Sequence, residues 1–135
     1  MILETLQSGL PVLILQFAVT LGLLALGVLC YTLITPFNEM RLVREGNSAA
    51  GLLLGGSIVA LAIPLAATLA TSQVTLDILL WGLVALVIQL VTFRLASALI
   101  PGLRGMIEAG NVASACVATA VQLAVALLNA GAMSG

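Results

Sequence analysis

The chain has 135 residues, of which 62% are hydrophobic and 7% charged, with a mean hydropathy of +1.30 and a formal net charge of −1. A water-soluble globule carries about 25% charged residues to coat its surface, so the solvent for this chain is lipid. It contains no His and no Lys, which excludes His-based general base catalysis, His ligands for a metal and Schiff-base chemistry.

Residues 10–34, 48–71, 78–93 and 109–130 hold no Asp, Glu, Lys or Arg. About 20 mostly apolar residues suffice to cross the hydrocarbon as a helix, so four spans are expected: Leu10 to Ile34, Ser48 to Ala70, Thr75 to Leu99 and Val112 to Ala130. The first begins after Glu4, where a secretory signal would carry Lys or Arg. Its apolar run of about 25 residues exceeds the roughly 7 to 15 of a signal core, so it is expected to be retained. Cys30 and Cys116 fall inside spans and read as packing residues.

The link after the first span carries Glu39, Arg41, Arg44 and Glu45. Phe37, Met40 and Val43 keep helical spacing there, with Thr35 as an N-cap and Pro36 in the first helical position. The third link repeats the pattern with Leu103, Met106 and Ile107 after Pro101, beside Arg104 and Glu108. Both read as short helices on the membrane interface. Each ends in Gly-Asn, at Gly46-Asn47 and Gly110-Asn111. Glycine suits the left-handed residue that closes one helix, and asparagine the cap that opens the next.

Within the second span, Gly51 and Gly55 form a small-residue seam, Ala18 and Gly22 another in the first, and Ser114, Ala118, Ala120 and Ala124 a third in the fourth; such seams permit close helix contact. Ser57 has no base to activate it and reads as a backbone-bonded hydroxyl. Pro64 is expected to kink its span. In the third span, Asp77 and Arg94 stand about 26 Å apart and mark boundaries, since a terminal charge can reach the interface.

The two Gly-Asn corners sit at matching points of two helical hairpins. The expected architecture is therefore all-α and integral to the membrane, a single domain of residues 1–135. Its four transmembrane helices form two tandem parallel hairpins, roughly residues 10–71 and 75–133, related by an axis along the bilayer normal. Three of the four arginines lie in the two links, which places the links in the cytosol and both termini in the periplasm.

No catalytic, cofactor or metal residues are expected. Two constellations remain. Gln16, Gln89 and Gln122 lie inside spans and either hydrogen-bond between helices or line a polar path. Arg41, Arg44, Arg94 and Arg104 stand near the helix starts at Asn47 and Asn111, a setting that suits anionic phospholipid headgroups or a partner. Against this, Glu39, Glu45 and Glu108 are expected to neutralise those arginines.

The stretch Leu33 to Ala50, with its Thr-Pro-x-x-Glu and Glu-Gly-Asn pieces, resembles the YjfL-like domain-of-unknown-function family of bacterial inner-membrane proteins. Leu54-Gly55-Gly56, Ile63-Pro64-Leu65-Ala66 and the second Gly-Asn corner extend the resemblance over nearly the whole chain. It implies a small, multi-pass inner-membrane protein with no catalytic residues to carry over. The expected role is that of a non-enzymatic, homo-oligomeric accessory or scaffold component of envelope maintenance. The alternative is a small channel or transporter subunit. Partners are the lipid bilayer and further copies of the chain; no nucleic acid is expected.

Overall fold

The computed structural model describes residues 1–35 and 38–134; Pro36, Phe37 and Gly135 lie outside the described residues. Six helices follow in order: α1 (Ile2–Ile34), α2 (Glu39–Arg44), α3 (Ser48–Thr71), α4 (Thr75–Leu99), α5 (Leu103–Glu108) and α6 (Val112–Ser134). No strand occurs among the described residues. Helices alone satisfy every backbone polar group within one segment, which hydrocarbon demands. Four of them, α1, α3, α4 and α6, are long and apolar enough to cross a membrane.

The corners form as the sequence dictates locally. Gly46 and Gly110 take φ values of 86° and 83°, the left-handed region where a Cβ is costly. Asn47 Oδ1 accepts from the Ala50 backbone N–H at 3.0 Å, and Asn111 Oδ1 from that of Ser114 at 3.1 Å. A third left-handed glycine, Gly102 with φ 74°, opens α5 and was not foreseen.

Two expectations at the ends of α1 need correction. The helix begins at Ile2 rather than Leu10 and runs through Pro11; its 33 residues make roughly 50 Å, more than the roughly 30 Å of hydrocarbon. Thr35 does not cap α2. It closes α1, where its hydroxyl donates to the Tyr31 carbonyl at 2.6 Å, a local bond that competes with capping forward. Asn38 takes the N-cap, its Oδ1 accepting from the Arg41 backbone N–H.

Helix α3 is the most covered of the spans and touches α1, α4 and α6, with α6 its largest contact. Thr119 of α6 lies over Leu52 and Gly56 of α3, and Met133 lies beside Thr68, so the two helices run in the same direction. Close approach uses other glycines than the expected seam. A Cβ at Gly56 would collide with Thr119 Cγ2, and Gly27 and Gly82 are similarly pressed by Leu86 and Leu23. Gly51, Gly55 and Gly22 have no such neighbour within 4 Å. Apolar residues surround every span, so spacing alone could not tell an inward seam from an outward one.

Buried side chains fall into two groups. Leu42, Leu53, Leu103 and Ile107 pack with alanines of α3 and α6 beneath the corners. Leu23, Tyr31, Leu61, Leu65, Leu86 and Phe93 fill the space among α1, α3 and α4.

Candidate functional site

At the end of the bundle that carries α2 and α5, here the link end, a cleft of about 630 Å³ has Thr32, Thr35, Glu39, Arg41, Arg104 and Glu108 in its lining. Two of the expected arginines, Arg41 and Arg104, thus share one cleft although far apart in sequence. Each is exposed and paired within its own helix turn: Arg41 with Glu45 at 3.8 Å, and Arg104 with Glu108 at 2.9 Å. Exposed pairs of this kind are worth less than about 1 kcal/mol. Arg44 is exposed, and Arg94 sits apart in an apolar groove with Ile34, Leu90, Val91 and Leu95. Asn47 and Asn111 serve as caps. Asn47 also donates through Nδ2 to the Ile107 carbonyl at 2.8 Å, tying the first corner to the third link.

Glu39 departs from expectation. The sequence pattern expects it to neutralise an arginine, yet it is 3% exposed and bonded to no arginine. Its Oε1 accepts from the Tyr31 hydroxyl at 2.5 Å, and its Oε2 is buried without a hydrogen-bond partner among the described residues. Tyr31 is held in turn by an edge-on contact with Phe93, ring centroids 4.6 Å apart at 70°. Burial pushes the Glu39 carboxyl up from 4.5 to about 7, against the opposing pull of the Tyr31 hydrogen bond. The carboxyl can therefore gain or lose a proton near neutrality. Tyr31 and Glu39 stand on opposite sides of a helix break, so periodicity gave no signal that they meet.

The amides separate. Gln16 is only partly buried on α1, away from the others. Gln89 of α4 and Gln122 and Asn129 of α6 are buried together. Asn129 Nδ2 donates to Gln89 Oε1, and Gln89 Nε2 to the Gln122 backbone carbonyl, both at 3.4 Å. The Gln122 side-chain nitrogen is buried without a partner among the described residues. Ser57 donates to the Leu53 carbonyl at 2.7 Å, as its setting predicts. Cys116 is exposed rather than packed, whereas Cys30 is partly buried; both thiols are free.

At the opposite, open end, where α1 starts and α6 finishes, a second cleft of about 530 Å³ opens among α3, α4 and α6. Asn129 reaches it from the amide group, and Asp77 and Trp81 stand at its α4 side.

The model of the family described as Domain of Unknown Function (DUF350) matches residues 5–133, nearly the whole chain. The chain belongs to the DUF350 family. It is similar to the UPF0719 inner membrane protein YjfL of Escherichia coli strain K12, 30% identical over 118 residues that cover 87% of this chain and 89% of that one, and equally to its counterpart in Escherichia coli O157:H7. No solved structure matches. With its four candidate spans, this DUF350 member is a bacterial inner-membrane protein.

Proposed function

We propose that the protein is a non-enzymatic, homo-oligomeric component of the inner membrane, an accessory or scaffold in envelope maintenance. In this reading both termini are periplasmic and the arginine-bearing corners are cytosolic. The observation that carries it is the use made of the interior amides. Gln89 of α4 donates to the Gln122 carbonyl and accepts from Asn129, both on α6, which is the behaviour of interhelical glue rather than of a solute path. The two large clefts lie at opposite ends, and between them α3 and α6 touch at Gly56 and Thr119.

What favours self-association is the outward placement of small residues. Gly55 on α3 and Ala120 and Ala124 on α6 are exposed, and small side chains let backbones of neighbouring copies approach where lipid supplies no hydrophobic drive. Arg41 and Arg104, exposed at one cleft, suit an anionic phospholipid headgroup as a further partner.

The test is reconstitution of the purified protein with measurement of ion and small-solute flux, alongside its mass in nanodiscs. A stable oligomer without flux supports the scaffold reading, and Gly55→Leu with Ala120→Leu is expected to dissociate it. A strict monomer, or flux abolished by Gln89→Leu or Gln122→Leu, refutes the reading in favour of a small channel or transporter subunit. A reporter fused after residue 134 that proved cytosolic would overturn the orientation.

A further inference from the structure

The open-end cleft brings together groups from three helices, although Asp77 alone would be accounted for by its place in the first turn of α4. Asp77 and Trp81 are one turn apart on α4 and both line it, so a carboxylate and an indole face the same space. No Arg lines the cleft, and Asp77 forms no ion pair among the described residues. Thr71 and Ser72 at the end of α3 add oxygen acceptors, and Met133 of α6 adds a polarizable thioether. The floor includes Asn129, whose NH₂ is committed to Gln89. Its side-chain oxygen Oδ1 receives no side-chain or cap donor among the described residues.

We propose that this cleft binds a small organic cation, with the ammonium between the Asp77 carboxylate and the Trp81 indole and the apolar body against Val84, Ile88 and Met133. Trp is the aromatic side chain best suited to hold a cation on its face, and Trp81, 56% exposed, and the exposed Asp77 are both open to an incoming ligand. An anion has no basic group to meet here. A metal ion fits poorly, because one carboxylate is the sole charged ligand and no cluster of three metal-ligating residues occurs among the described residues. The volume of about 530 Å³ lies in the range of small-molecule sites. The inference stands independently of the scaffold reading, since it concerns the end of the bundle away from the arginine corners and requires no particular oligomer.

Trp81 is the only tryptophan in the chain, so its fluorescence reports this cleft and nothing else. The intact protein in maltoside micelles is titrated with choline, with tetraethylammonium and with 3,3-dimethylbutan-1-ol, the uncharged isostere of choline. A saturable change with the cations and none with the alcohol is expected. Asp77→Asn should weaken cation binding about tenfold, while Glu4→Gln, which removes the other acid of this end, leaves it unchanged. Circular dichroism confirms that the Asp77→Asn protein keeps its helices, and calorimetry follows Trp81→Leu, for which a loss of about tenfold is also expected.

Repetition in phosphatidylcholine and phosphatidylglycerol nanodiscs identifies the source of the cation. A choline response lost only in phosphatidylcholine marks a lipid headgroup as the occupant; a response kept in both marks a free cation. Equal response to the alcohol, no saturation with either cation, or undiminished binding by folded Asp77→Asn would overturn the proposal.

Discussion

The Tyr31 hydroxyl reaches across the break between α1 and α2 to donate a 2.5 Å hydrogen bond to Glu39, fixing a buried carboxyl that has no other side-chain partner among the described residues. The folded protein holds the Glu39 proton more tightly than an unfolded chain does, because the carboxyl rises from 4.5 to about 7. Its contribution is therefore most favourable below about pH 4.5, declines as pH rises towards about 7, and is level above that, a difference of roughly 3 kcal/mol. Thermal unfolding in micelles between about pH 4 and about pH 8 should show that decline, and Glu39→Gln should flatten it.

Tyr31→Phe preserves the contact with Phe93 but leaves Glu39 Oε1 without its donor. A loss of about 1–3 kcal/mol is expected from the stranded buried acceptor, measured as a lower unfolding midpoint. Because the Tyr31 bond lowers the Glu39 carboxyl, the pH window in this variant should move upward. An unshifted window would refute the assignment.

The two corner asparagines should differ. Asn111→Ala removes the cap on Ser114, whereas Asn47→Ala removes the cap on Ala50 and also the bond to the Ile107 carbonyl. A cap is worth about 1 kcal/mol and a further hydrogen bond about the same. Denaturation should thus rank Asn47→Ala as more damaging by about 1 kcal/mol; equal losses would mean that the bond between the links adds nothing.

Neighbouring glycines in α3 should part company as well. Gly56→Ala drives a methyl into the β-branched Thr119 side chain and should cost about 1–3 kcal/mol. Gly55→Ala meets open space and should leave the unfolding midpoint of the monomer near that of the parent.

Among the interior amides, Gln122→Met should be neutral or stabilising, because it removes a buried NH₂ that has no partner among the described residues. Gln89→Met should destabilise by about 0.6 kcal/mol or more, since it strands the Asn129 amide. Reversal of that order in denaturation midpoints would contradict the hydrogen-bond pattern.

Much was legible in the residues themselves. Lipid forces each long uncharged run into a helix, so the four spans followed from composition and charge spacing. Gly46-Asn47 and Gly110-Asn111 were readable because a positive φ and an N-cap are requirements of the local backbone. The arginines at the links were readable from the solvent, since charge is excluded from hydrocarbon wherever the helices pack. Asn38 as the cap of α2 was missed in favour of Thr35, an error of three residues in a segment where two good caps compete.

What the chain could not declare was rotation. A span apolar on all sides carries no stripe to show which face meets a neighbour, so Gly56 rather than Gly55 at the contact, Gln89 beside Asn129, and Cys116 outward were decided by tertiary packing alone. The same holds for Glu39. Its charge argued for exposure, and only the position of Tyr31 after α1 docked on α3 and α4 turned that carboxyl inward. Sequence settled how many times the chain crosses and where it turns, because those depend on solvent and local backbone. Packing settled which polar groups meet, because that depends on the angle of each helix about its own axis.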